Sequence, residues 1–500
     1  MNPLKKLAGQ TAIYGLGTLV PRLLNYLLIP LYTRLFLEDE YGVITELYSW
    51  IAFFLVVLLY GMETTFFRFA SKDSEPKKVF STSFICVLLT SLLFLALVIL
   101  FINPISRGLK YPDHKDFIIY SAILISIDVI TSIQFAYLRQ LNRPILFSAI
   151  RIISVAVNVG LNLYFILFCD YEYKRNPDSP LLFFYDPNFR IGYVFVSGLV
   201  ASFITVLLLS PHLLKLKFTF DLKLLKRMLV YTFPLLIVGL AGMVNEVWDK
   251  IIFKYLLTVP AGIENAESYV MGQLGIYGAN YKLAVLMTLF VQMFRFAAEP
   301  FFFSQAKEGN AKQIYADVLK YFVIFGLLIF LGVTLYIDIF KYFIGPKHWE
   351  GLYIVPLILI ANLLLGVFFN LSIWYKLQDL TKYGALIALG GAAITIIMNV
   401  LLVPAFSYLG AAWAHVTCYL FMVILSYYQG KKHFPVKYDL KNILIYFFLA
   451  LILFGINYYI KMDKLVLRLT LSTFLLIIFL GYVYFNEKYH LIKVPKNEVS

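Results

Sequence analysis

Apolar residues in this chain gather into long runs, and the polar residues between them fall in short connections. A bilayer core about 30 Å thick is crossed by about 20 apolar residues in helical conformation. Runs of that length occur at about 9–35, 42–67, 79–102, 117–138, 146–169 and 191–211, then at about 229–257 and 273–303. Six more follow at about 316–337, 351–375, 383–403, 409–428, 443–460 and 467–485. They are rich in Leu, Ile, Phe and Tyr, are interrupted by Gly and Pro, and lack the ten-residue alternation of an outer-membrane strand. The pattern therefore predicts an all-α polytopic membrane protein with about fourteen spans.

Composition strengthens this reading. Hydrophobic residues make up 61% of the 500 positions and charged residues 14%, with a mean hydropathy of +0.79, values that exclude a water-soluble domain of this length. The net charge of +14 would suggest nucleic acid in a soluble protein, but here the basic residues collect in the connections, so the expected partner is the membrane surface. With the amino terminus inside, the inside connections carry 24 Lys and Arg against about 11 outside, which predicts that both termini are cytoplasmic. Lys5 and Lys6 ahead of the first run resemble the start of a signal peptide, but the run is long and lacks a small-residue cleavage site, so it is expected to be retained as span one.

The most basic connection holds Lys215, Lys217, Lys223, Lys226 and Arg227. It reads as a cytoplasmic linker, 215–228, between an N-terminal lobe, 1–214, with spans one to six and a C-terminal lobe, 229–430, with spans seven to twelve. Residues 431–500 then hold spans thirteen and fourteen and a cytoplasmic tail. A weak internal echo fits this division: Tyr41, Gly42 and Tyr48 open span two, and Gly275, Tyr277 and Tyr281 open span eight. The longest outside connection, about 170–190, leaves little room for extramembrane catalysis.

Ionisable residues inside spans are costly and mark pathways or pairs, about 2.5–3.5 kcal/mol each at the bilayer centre on insertion scales. Arg22 lies in the middle of span one beside Pro21, with Asn25 one turn on and a second proline at Pro30. The prolines can kink the helix, and the guanidinium offers a planar fork suited to phosphate oxygens; an ion pair or snorkelling is the alternative. Arg34 lies near the outer end beside Glu38, Asp39 and Glu40. Span seven holds Asn245, Glu246, Trp248, Asp249 and Lys250, the densest polar patch in any run. Glu246 and Lys250 are four apart and could neutralise each other, yet a protonatable carboxylate is also what ion coupling needs, and Glu246 is the leading candidate.

Span two carries Glu46 and Glu63, and span eight carries Asn280, Lys282, Arg295 and Glu299, of which the last two are four apart and could pair. Asp128 in span four is deep, whereas Arg151 in span five and Lys254 in span seven lie close enough to a surface to snorkel. Substrate-contact candidates are thus Arg22, Asn25, Arg34, Lys250, Lys282 and Arg295; ion-coupling candidates are Glu246, Asp249, Glu63, Asp128 and Glu299. No phosphate-binding glycine loop, metal-ligand spacing or catalytic constellation is present, and Cys86, Cys169 and Cys418 show no paired spacing. No cofactor and no enzymatic activity are expected.

A set of motifs runs in order along the chain, from Pro21-Arg22-Leu23 through Pro30-Leu31-Tyr32-Thr33-Arg34-Leu35 to Glu40-Tyr41-Gly42, then Gly61-Met62-Glu63-Thr64 and Phe67-Arg68-Phe69. Trp248-Asp249-Lys250, Gly275-Ile276-Tyr277, Tyr281-Lys282 and Ala298-Glu299-Pro300 follow. Trp374-Tyr375-Lys376, Thr381-Lys382-Tyr383-Gly384, Asn399, Pro404 and Gly410-Ala411-Ala412-Trp413 complete the set. In this order the motifs resemble the polysaccharide flippases, of O-antigen type, of the multidrug/oligosaccharidyl-lipid/polysaccharide exporter superfamily. The resemblance implies two six-helix lobes around a central cavity with two appended helices. It also implies alternating access and an undecaprenyl-pyrophosphate-linked oligosaccharide, moved from the cytoplasmic to the periplasmic leaflet of a bacterial inner membrane, as in lipopolysaccharide assembly. Glycosyltransferases and a glycan polymerase would be partners, and ion-gradient coupling is expected. Competing readings are a drug/cation antiporter of the same superfamily, a lipid II flippase, and a membrane glycan polymerase or ligase.

Overall fold

The computed structural model of the chain describes residues 15, 17–71, 75–213, 219–306, 309–460 and 462–493. Lys5, Lys6, Lys72, Lys215, Lys217, Lys307 and Lys496, which enter the sidedness argument, lie outside the described residues. All regular structure among the described residues is helical, and twelve of these helices are long and apolar enough to cross a membrane. One of the twelve, Thr381–His433, contains both predicted spans eleven and twelve. It breaks at Ser407 (φ 50°, ψ −137°), three residues after Pro404.

Span one is bent. Residues 17–26 are helical, Leu27 and Leu28 form a turn, and the helix resumes at Ile29–Leu35. Pro30 has no N–H to donate to the Tyr26 carbonyl, and the turn tightens so that Leu28 N–H bonds Asn25 O at 3.1 Å.

The chain divides into two compact units, Met1–Ile251 and Ile252–Ser500, so the division falls inside the helix Leu222–Leu256 and beyond the basic connection. Within the first unit this helix packs on span two. Thr65 and Thr232 hydroxyls meet at 2.9 Å, and the Phe53 and Trp248 rings have centroids 5.5 Å apart. The helix start is secured by Asp221, which accepts from Lys223 N–H at 2.8 Å and Leu224 N–H at 3.0 Å and pairs with Lys78 at 2.9 Å. The Lys78 hydrogen bond, helped by those amides, holds the Asp221 carboxyl down at about 2.

Span two is interrupted at Tyr60 (φ 35°) and Gly61 (φ 76°), between helices Glu38–Leu59 and Met62–Ala70. A Cβ on Gly61 would sit 2.8 Å from Leu235 Cβ. Both the left-handed backbone and the contact oppose a side chain there, so Gly61→Ala should lower stability by about 1–3 kcal/mol. Thermal unfolding in detergent measures this, and an unchanged midpoint would contradict it.

The second unit carries the final two helices, Leu440–Tyr459 and Leu465–Lys493, clamped to Ala311–Leu335. At one end buried Lys320 pairs with Glu487 at 2.7 Å, and Tyr446 OH donates to the same carboxylate at 2.6 Å. At the other, Ser472 Oγ donates to Leu335 O at 2.7 Å and Arg468 pairs with Asp338.

A turn recurs in both units. Helix Lys115–Gln140 ends through Asn142 (φ 53°), with Arg143 N–H donating to Leu138 O at 3.1 Å. Helix Ile373–Leu377 ends through Asp379 (φ 53°), with Leu380 N–H donating to Tyr375 O at 2.8 Å. Each is a helix terminus closed by a left-handed residue and a six-to-one hydrogen bond, and Asn and Asp tolerate that conformation better than other side chains do.

Candidate functional site

The polar residues buried in the spans fall into local clusters. In the first unit, Glu63 begins the short helix after Gly61 and forms an ion pair with Arg139 at the end of span four. The Arg139 guanidinium also lies 5.0 Å from the Phe67 ring centroid. Arg151 covers Phe135 at 4.1 Å and has Asp128, Arg139, Glu63 and Arg22 as electrostatic neighbours. Asp128 accepts from Ser202 Oγ at 2.7 Å. Arg22, Arg139 and Arg151 thus share one neighbourhood with Glu63 and Asp128, within reach of span one.

Arg22 and Asn25 are both exposed, one turn apart on the bent helix. Asn25 Oδ1 accepts from Asn158 Nδ2 of span five at 2.9 Å. Arg34, also exposed, donates to Pro30 O at 3.1 Å, while Glu40 of the neighbouring acidic cluster is held by Arg190 at 2.8 Å. Glu46 is fully buried and accepts from Tyr111 OH at 2.6 Å and Trp50 Nε1 at 3.3 Å, partners that fix it as a joint between helices.

On span seven the expected pairing of Glu246 with Lys250 does not form. Lys250 Nζ reaches the Asp249 carboxylate at 3.1 and 3.2 Å and bonds only the backbone carbonyl of Glu246, at 3.2 Å. Asp249 is fully buried and Lys250 is 8% exposed, so the ammonium takes the carboxylate that shares its low-dielectric surroundings, where attraction is strongest. Glu246 is left exposed, and its carboxylate has no ion-pair partner among the described residues.

In the second unit the expected Arg295–Glu299 pair is likewise replaced. Glu299 pairs with Lys376 at 2.7 Å, and Arg295 lies 4.7 Å over the Phe369 ring without an ion pair among the described residues. These four side chains, with Phe294 and Ser372, line one pocket. The preference is geometric: the short helix Ile373–Leu377 brings Lys376 beside Glu299, and Phe369 offers the guanidinium a flat face. Lys282 is exposed on its own helix, Ala266–Leu283.

Glu63–Arg139 and Glu299–Lys376 are the same device in two units. Each joins a carboxylate followed by a Phe-Phe pair three residues on to a base at a helix end, across 76 and 77 residues respectively. Each base also precedes one of the two matching left-handed turns. Tyr41-Gly42 and Tyr277-Gly278 stand at corresponding places upstream; of the sequence echo, Tyr41 and Tyr277 fall in this register, whereas Gly275 and Tyr281 do not match Gly42 and Tyr48.

Several participants escaped the sequence reading. Arg139 has nothing in its sequence neighbourhood to single it out, and Lys376 stands out there only as part of Trp374-Tyr375-Lys376. Asn158 and Asn162 carry no charge, and only their four-residue spacing in an apolar run could have marked them. His415 is 2% exposed, with its ring centroid 5.8 Å from that of Tyr281 and 5.9 Å from that of Tyr419. Among the described residues no group of His, Cys, Asp and Glu could hold a metal ion.

Comparison with known proteins follows this geometry. The family described as "Polysaccharide biosynthesis protein" matches residues 7–307. Among solved structures, the lipid II flippase MurJ in an inward closed conformation matches with a TM-score of 0.69 and 16% identity over 95% of this chain and 99% of that one. An inward-facing multidrug resistance MATE family transporter of the MOP superfamily matches with a TM-score of 0.53 and 12% identity, over 86% and 96%. A MATE protein in complex with MaD3S gives 0.52 and 13% over 85% and 94%. No curated protein matches the chain.

Proposed function

The chain belongs to the polysaccharide biosynthesis protein family, and from that premise we propose that it is an alternating-access flippase. Its substrate is an undecaprenyl-pyrophosphate-linked oligosaccharide, moved from the cytoplasmic to the periplasmic leaflet of the bacterial inner membrane. The observation that carries this reading is the exposure of guanidinium groups within the spans. Glu63, Asp249 and Glu299 are each matched by a base, whereas Arg295 is exposed over the Phe369 ring and forms no ion pair among the described residues, and the Arg22 guanidinium is likewise exposed. Exposed guanidinium groups suit pyrophosphate oxygens, through paired N–H donors, and suit a cationic drug poorly. The fold shared with the lipid II flippase supports the same class of cargo.

The test is translocation of a fluorescent lipid-linked oligosaccharide in vesicles, read by protection from an impermeant quencher. A protein that exports a cationic dye while leaving this lipid in its original leaflet would overturn the proposal in favour of the antiporter reading.

Coupling to an ion gradient is assigned to Glu246, the exposed carboxylate on span seven. Glu246→Gln should remove the dependence of transport on a pH gradient, because the amide cannot exchange a proton. Full dependence retained in the variant would reject the assignment.

A further inference from the structure

Span one and span five share a ladder of amides. Tyr32 OH donates to Asn162 Oδ1 at 2.7 Å, Asn162 Nδ2 donates to the Asn158 backbone carbonyl at 2.8 Å and to Asn158 Oδ1 at 3.2 Å, and Asn158 Nδ2 donates to Asn25 Oδ1 at 2.9 Å. The ladder starts at buried Tyr32, passes through fully buried Asn162 and ends at exposed Asn25, one turn from exposed Arg22. All its hydrogen bonds run in one direction, so each polarises the next, and the Nδ2 protons of Asn25 stand at the open end. We propose that this ladder is a carbohydrate-binding surface that reads hydroxyls of the substrate glycan, while Arg22 holds the phosphate side; the inference rests on the flippase reading above.

Three features point to a neutral, hydroxyl-rich ligand. First, the four groups that form the ladder, three amides and a phenol, carry no charge, whereas hard cations are held by oxygen sets that normally include carboxylates. Second, an amide and a guanidinium exposed side by side within a span would each lose hydrogen bonds if they faced lipid, so that face borders a polar space open to a hydroxyl-rich ligand. Third, a planar amide presents a donor and an acceptor side by side, the pattern offered in return by two neighbouring sugar hydroxyls. The helix after Asn162 also widens into a π-helix, Leu163–Cys169, a departure found frequently at functional sites.

Binding of two lipids to the full-length protein in nanodiscs tests this: undecaprenyl pyrophosphate alone, and the same lipid bearing a short oligosaccharide. Asn25→Leu and Asn158→Leu should each weaken the glycan-bearing lipid about tenfold and leave the bare lipid unchanged. Asn25→Ser provides a milder exposed substitution with the same expected selectivity. Arg22→Gln should weaken both lipids alike. Equal losses for both lipids in the Asn variants would overturn the proposal and mark the ladder as a helix fastening, and no loss for either would overturn it as well. Wild-type protein that binds neither lipid would sink the flippase reading and this inference together, whereas failure of the ladder alone leaves normal wild-type binding of both.

Discussion

Replacement of Arg22 by Ala is expected to leave lipid-linked repeat units on the cytoplasmic side and to remove glycan from the cell surface, at normal membrane levels of the protein. The guanidinium is exposed on the bent first span, within electrostatic reach of Arg151. Loss of hydrogen bonds to a charged ligand is worth about 1.5–3 kcal/mol each, so a bidentate contact accounts for a fall in transport of about a hundredfold or more. Arg22→Lys keeps the charge and loses the planar fork, and an intermediate rate is expected. Translocation of a labelled lipid-linked glycan in vesicles is the measurement. Unchanged transport by Arg22→Ala would remove the residue from the pathway.

The largest stability loss is expected for Asp249→Asn. The change leaves the Lys250 ammonium, 8% exposed, beside a neutral amide in place of a carboxylate at 3.1 Å. Removal of one partner of a buried pair typically costs about 3–5 kcal/mol, whereas replacement of both partners by neutral groups is often close to neutral. Asp249→Asn should therefore unfold at clearly lower temperature in detergent, and Asp249→Asn combined with Lys250→Met should recover most of the loss. A double variant as unstable as the single one would show that the pair is not the source of the effect. This separates Asp249, whose charge is committed to Lys250, from Glu246, whose carboxylate is accessible.

The helices were legible in the sequence because a bilayer imposes a length and a polarity on each span, and both are local properties. The bend in span one was legible for the same reason: Pro30 removes a specific donor. Partner choice was not. Arg295 and Glu299 are four apart on a helix, a spacing that suggests a pair, yet the competitor for Glu299 is Lys376, 77 residues away and brought near only by packing. Lys250 had two carboxylates within helical reach, and relative burial, which no spacing rule contains, decided between them. The asparagine ladder was half visible, since Asn25 stood out beside Arg22 while its partners on span five lay in an otherwise apolar run.

The Lys320–Glu487 and Arg468–Asp338 contacts have a mechanical consequence. Fastened near both extremities, the last helix behaves as a splint along Ala311–Leu335 and the short helix Ile337–Phe340 that follows it. Any motion that required the last helix to slide past them would break both fastenings at once, one of them almost dry, with side chains 10% and 12% exposed. The terminal helix pair is thus cargo of the second unit, obliged to travel wherever that unit turns.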